Sequence, residues 1–168
     1  MQKEEHSLNL KIKSIAKEFL KEIEKNKEIL IVSHFDTDGI TSATIMLQTL
    51  KKLDKTFTVK IVRSLEIKAI NNLPKDKLII FLDLGSGNIK NIIENKLNFF
   101  IIDHHEMNSQ DITNETRIIN PELHQKQRIS AAGLTYLFCK ELTKDAKEFS
   151  KLAVLGMIGD LLEKEIGK

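Results

Sequence analysis

The sequence predicts an α/β domain, a parallel β-sheet flanked by helices on both faces, and three observations carry that prediction. Short, unbroken apolar runs alternate along the chain with stretches of helical period. The runs 29–32, 78–82 and 99–102 are solid in isoleucine, leucine, valine and phenylalanine, as strands buried on both faces are. The length, 168 residues with 41% hydrophobic and 30% charged, suits one domain that builds its core without disulfide or metal staples.

Taken in order, Leu8, Ile12, Ile15, Ala16, Phe19 and Ile23 recur at three- and four-residue steps among lysines and glutamates, predicting an amphipathic N-terminal helix that ends near Asn26. Strand 29–32 follows, then a polar turn over 34–39 and a second helix over 40–53. Residues 57–62 read as a strand and 64–73 as a short helix closed by Pro74. The cycle repeats with strand 78–82, a turn at Gly85 and Gly87, helix 89–95 and strand 99–102. Residues 106–116 are almost entirely polar and predict a surface loop. A last short strand over 117–120 stops at Pro121, and two helices, 131–142 and 144–163, finish the chain, the second with Thr143 as its N-cap.

Composition narrows the function classes. Twenty-six basic against 24 acidic residues leave a net charge of +2, which is no electrostatic footprint of a nucleic-acid binder. One cysteine, Cys139, excludes a disulfide framework and fits a reducing, cytoplasmic setting. No apolar run approaches the ~20 residues of a membrane helix, so no membrane partner is expected. The charged first residues show no signal peptide.

The chemistry lies where the strands end. The first run terminates in Ser33-His34-Phe35-Asp36-Thr37-Asp38-Gly39, the second in Asp83, the third in Asp103-His104-His105. Taken singly, an Asp-x-Asp-Gly turn is an ordinary helix start, a lone aspartate a turn residue, and paired histidines surface decoration. Together they occupy equivalent positions, and the carboxyl ends of parallel strands share one ligand-binding edge. Crowded carboxylates repel and call for a counter-charge. Oxygen and imidazole donors without thiolate suit Mn²⁺ or Mg²⁺ better than structural zinc. Cys139 reads as packing and Gly85-Ser86-Gly87 as a plain turn rather than a phosphate cradle; Arg128 and Ser130 could touch a nucleic-acid backbone, but a lone arginine in a loop is usually just solvated. One Tyr and no Trp offer no aromatic ladder for bases.

These residues resemble the DHH phosphoesterase superfamily. His34-x-Asp36-x-Asp38-Gly39, Asp83 and Asp103-His104-His105 look like its first three motifs, and Gly156-Met157-Ile158-Gly159-Asp160 like its fourth. Ser130-Ala131-Ala132-Gly133 resembles the helix start that precedes the fourth motif in RecJ-like nucleases. The single residue between His34 and Asp36 is similar to the RecJ and archaeal RecJ-like branch, not the pyrophosphatase and oligoribonuclease branches. The resemblance implies a two-metal exonuclease acting on single-stranded DNA or RNA in replication, repair or RNA processing. It implies one divalent ion, Mn²⁺ first and Mg²⁺ second, on His34, Asp36 and Asp83. The second would lie on Asp38, Asp83, His104 and Asp160, so Asp83 bridges. It makes Asp103 the acid that orients a histidine and His105 the group facing substrate.

Family enzymes generally continue into a substrate-binding domain, so residues 1–168 are expected to form the DHH catalytic domain alone, with 1–27 as its N-terminal helix. Weak turnover, improved by a second domain or a replication or repair protein in trans, is the matching expectation. Two other readings are a small-molecule phosphoesterase, cleaving pyrophosphate, oligoribonucleotides or cyclic dinucleotides, and a non-catalytic scaffold in a replication or repair complex. The spacing at His34–Asp36 counts against the first, the full set of ligands against the second.

Overall fold

A computed structural model describes residues 2–25, 28–108, 110, 112–113, 116–124 and 128–166, with side chains described from Ser7 to Asp160. Five strands form one sheet in the order β2-β1-β3-β4-β5. They are β1 (Ile29–His34), β2 (Phe57–Val62), β3 (Leu78–Leu82), β4 (Asn98–Ile102) and β5 (Ile118–Ile119). Every pairing is parallel, and His34 of β1 stands beside Val62 of β2 at the carboxyl edge. The helices are α1 (Gln2–Lys25), α2 (Thr37–Lys52), α3 (Ile67–Asn71), α4 (Ile89–Glu94), α5 (Ala131–Leu142) and α6 (Ser150–Ile166).

The two-residue period of the strands divides their side chains between two cores. Ile29, Ile31, Ile80, Leu82, Phe100 and Ile102 point to a thick layer built with α1, α2 and α5. Val32, Ile79, Phe81, Ile101 and Ile118 point the other way, into a thinner layer with Ile70 of α3 and Ile89 and Ile92 of α4. Phe19 of α1 makes edge-on contacts with Phe100 and Phe138, ring centroids 5.1 and 5.3 Å away, which fixes the N-terminal helix over the sheet. This is the expected parallel α/β architecture.

Several local expectations need correction. Helix α2 begins at Thr37, not residue 40, because Asp36 caps it by accepting the Gly39 N–H at 2.8 Å. The stretch 64–73 holds a single turn and a half of helix, Ile67–Asn71, whose Glu66 makes no side-chain cap. Thr143 heads a 3₁₀ segment, Lys144–Phe149, rather than the final helix, which starts afresh at Ser150. Strand β2 is an edge strand with Thr58, Val59, Lys60 and Ile61 exposed, whereas Ile118 and Ile119 of β5, at the other edge, are buried. The expected end of α1 at Asn26 lies outside the described residues, as do Ser109, Asp111, Asn114 and Glu115 of the polar loop.

Candidate metal centre

Four segments bring the predicted residues to one place. Strand β1 delivers His34 at its last position, and the turn into α2 delivers Asp36 and Asp38. Asp83 follows β3, His104 and His105 follow β4, and Asp160 comes from α6. His34 Nδ1 lies 2.6 Å from Asp36 Oδ2 and 3.4 Å from Asp83 Oδ2. His104 Nε2 lies 3.3 Å from Asp83 Oδ1, 3.7 Å from Asp38 Oδ2 and 3.9 Å from Asp160 Oδ1. Asp83 therefore stands between two histidines, one on each carboxylate oxygen.

The Asp83 carboxylate is the odd group in this cluster. It is 1% exposed, and among the described residues neither oxygen has a hydrogen-bond partner. Its backbone has left the strand for a left-handed conformation, φ 58°, while its N–H still donates to Ile102 O at 2.9 Å. Aspartate and asparagine tolerate that region better than other side chains with a Cβ. Burial first, then the charges of Asp38, Asp36 and Asp103, push its pKa up to about 10. Buried oxygens without partners are rare, and such a site asks for a cation. The surrounding oxygen and imidazole donors fit a divalent ion of the Mn²⁺ or Mg²⁺ kind. Two triads have ligand atoms within 4.8 Å of one another: His34, Asp36, Asp83, and Asp83, His104, His105.

Asp38 has a second task. Its two oxygens accept the Ala131 and Ala132 N–H groups at 2.7 and 2.9 Å, so it also satisfies the first turn of α5. Burial nonetheless raises its pKa, against the lowering effect of those amides. Ser130, at the expected helix start, is buried and caps α5 through the Gly133 N–H at 3.2 Å. Arg128 is exposed.

Asp103 is fully buried and holds the paired histidines. Its Oδ1 meets His105 Nδ1 at 2.7 Å and accepts the His104 N–H at 2.8 Å, while Oδ2 accepts the Ser86 N–H at 2.9 Å. Burial raises its pKa, but the His105 bond and charge and the Ser86 bonds outweigh that and bring it to about 2. The same bond raises the pKa of His105, whose ring remains exposed. The Ser86 amide is thus committed to Asp103, and the Gly85-Ser86-Gly87 segment is a turn.

Some supporting residues carried no signal in the sequence. Buried Asn120 donates to Ser86 Oγ at 2.8 Å and to His105 O at 3.0 Å, tying β5 to the histidine pair. Ser33 donates to Gly39 O at 2.7 Å and closes the turn that carries Asp36 and Asp38. On α6, a Cβ at Gly159 would lie 2.5 Å from Thr37 Cβ, and one at Gly156 would lie 2.4 Å from Ala132 Cβ. These two glycines let α6 approach α2 and α5 closely enough for Asp160 to reach the site. The glycine spacing was visible in the sequence; the clearance was not.

The model of the DHH family, N-terminal domain, matches residues 28–159, most of the chain and every one of these segments up to Gly159. The chain belongs to the DHH family. A protein of Methanocaldococcus jannaschii, described as uncharacterized, is 35% identical to this DHH chain over 166 residues, covering 86% of the chain and 38% of that protein. The chain thus spans well under half the length of that relative. Among solved structures, RecJ of Thermus thermophilus in complex with Mn²⁺ shares 20% identity at a TM-score of 0.73, over 89% of this chain and 24% of that one. The DHH domain of a protein described as belonging to a family of ribosomal proteins gives a TM-score of 0.78 at 16% identity, covering 94% and 45%. CDC45 of Entamoeba histolytica gives 0.63 at 14% identity, covering 84% and 33%. At these identities the likeness is one of fold: a parallel DHH sheet of the RecJ type. Among the described residues no helix is long and apolar enough to cross a membrane.

Proposed function

We propose that this DHH chain is a metal-dependent phosphodiesterase of RecJ-like type, an exonuclease that shortens single-stranded DNA or RNA. The observation that carries the proposal is Asp83, a buried carboxylate with no hydrogen-bond partner among the described residues, set between His34 and His104. His34, Asp36 and Asp83 would hold one divalent ion, and Asp38, Asp83, His104 and Asp160 the other. Four aspartates against two divalent ions balance to zero. Mn²⁺ is the first choice, Mg²⁺ the second. When bound, the pair supplies Lewis acidity for an attacking water and for the phosphoryl group.

The remaining chemistry belongs to the protein. His105 Nδ1 donates to Asp103, which fixes the ring and leaves Nε2 to hold a proton toward the scissile phosphate. Asp103 favours the charged imidazole and so keeps that proton in place. His105 is exposed, as a group that meets substrate must be, whereas Asp103 is buried and acts through it. Asp38 joins the centre to the start of α5, so ordering that helix and ordering the site are one event. The His34-x-Asp36 spacing supports the RecJ-like assignment over the pyrophosphatase branch. The setting proposed with it is cytoplasmic replication, repair or RNA processing, with a further domain or a replication or repair protein in trans. The low net charge of +2 makes binding to long strands weak without such help.

End-labelled single-stranded DNA and RNA incubated with the protein and Mn²⁺ test this. The expected product is a ladder shortened from one end that is lost on chelation and in Asp83→Asn. Intact strands beside rapid release of phosphate from pyrophosphate would overturn the nuclease assignment in favour of small-molecule hydrolysis.

A further inference from the structure

The residue between the two first ligands, Phe35, is itself poorly accounted for by packing. Its side chain is 46% exposed at the carboxyl edge of the sheet. The ring stands edge-on to His34, with centroids 5.0 Å apart. The guanidinium carbon of Arg63 lies 5.4 Å from the centroid of the Phe35 ring. Arg63 is exposed, and among the described residues no carboxylate lies within ion-pair distance of it. Its main chain is held in place: Arg63 O is 3.1 Å from His34 Nε2, on the ring nitrogen opposite the one facing Asp36 and Asp83. An aromatic ring and a cation without a carboxylate partner among the described residues are therefore both anchored to the same histidine, at the rim of the carboxylate cluster. A phosphodiester alone needs no apolar platform. A nucleobase does, because its π-face stacks on aromatic side chains whatever its sequence, while a guanidinium takes the adjoining phosphate.

We infer that Phe35 and Arg63 form a nucleotide subsite in which the ring stacks a base next to the scissile phosphate and the guanidinium holds a flanking phosphate. The inference rests on the phosphodiesterase reading and names the part of the substrate gripped beside the phosphate, a nucleobase. It also offers one base platform where the sequence showed no aromatic ladder. Pyrophosphate and other base-free phosphates would gain nothing from the ring.

The test pairs a labelled thymidine hexanucleotide with its abasic counterpart of equal length and charge. Affinity is read by fluorescence anisotropy in Ca²⁺ and hydrolysis by product release in Mn²⁺. The wild-type chain should bind the thymidine strand about tenfold more tightly than the abasic one. Phe35→Ala and Phe35→Leu should lose that preference, while Phe35→Trp should keep it. Arg63→Gln should weaken both strands alike and flatten the dependence of log affinity on log salt by about 0.7. A wild-type chain that binds the two strands equally, or a preference that survives Phe35→Ala, overturns the subsite. Absence of hydrolysis in every case, with the base preference intact and dependent on Phe35, would instead overturn the phosphodiesterase reading and leave the subsite standing.

Discussion

Replacing Asp83 by asparagine removes a titratable carboxyl without changing the shape of the side chain. Asparagine also keeps the left-handed backbone at φ 58°, where alanine would add strain of about 1–2 kcal/mol. In the metal-free protein the Asp83 carboxyl is pushed up to about 10, against 3.8 in the unfolded chain. The native state therefore binds one more proton than the unfolded state between those two values, and its stability falls as pH rises through that window. Holding at pH 7 a proton that the unfolded chain releases near 3.8 costs about 1.36 kcal/mol per intervening pH unit, about 4 kcal/mol in all. Asparagine has no such proton to hold, and its amide takes the place of a carboxylic acid in the same setting. The expected result, by thermal unfolding after chelation, is an Asp83→Asn variant that melts higher than wild type at pH 7. The gain is at most about 4 kcal/mol, on the order of 10 °C for a domain of this size. The gap should close as pH falls toward 4, where the unfolded chain also keeps its proton. Saturating Mn²⁺ should reverse the order, stabilising wild type by mass action and the variant little. A metal-free variant that melts lower than wild type at pH 7, or a gap that does not change with pH, would show that Asp83 does not carry this proton.

Other outcomes follow from the same geometry. Because Asp83 holds its proton in the metal-free state, Mn²⁺ binding at pH 7 should release about one proton, seen as a dependence of calorimetric heat on the ionisation enthalpy of the buffer. Asp103→Asn should lower the pKa of His105, since the hydrogen bond and charge of Asp103 are what raise it. Histidine NMR of the metal-free protein reads this, and an unshifted titration would exclude the coupling. His105→Ala should keep calorimetric Mn²⁺ binding while slowing hydrolysis about 100-fold or more, the usual size of a lost acid–base group. Gly159→Ala should cost about 1–3 kcal/mol of stability by forcing α6 off Thr37, and should weaken metal binding because Asp160 moves with it.

The sheet and the gathering of these residues at one edge were legible in the residues alone. Solid apolar runs such as 78–82 cannot be satisfied on the surface, so β3 had to be an inner strand. Once the strands are parallel, every residue just past a strand end meets the others at one edge, which is why His34, Asp83 and His104 could be picked out from position. What surrounds each group was decided in three dimensions. The left-handed turn of Asp83 and its lack of hydrogen-bond partners among the described residues depend on what surrounds it, and no local pattern encodes that. Asp38 capping α5 joins residues 93 and 94 positions apart in the chain, and Asn120 supporting His105 comes from the far edge of the sheet. The exposed β2 and the late start of α6 also went against local reading, because edge placement and a capped 3₁₀ turn are set by neighbours and not by period. Short-range forces wrote the elements and the strand-end pattern; burial and long-range hydrogen bonding then set the surroundings of each aspartate.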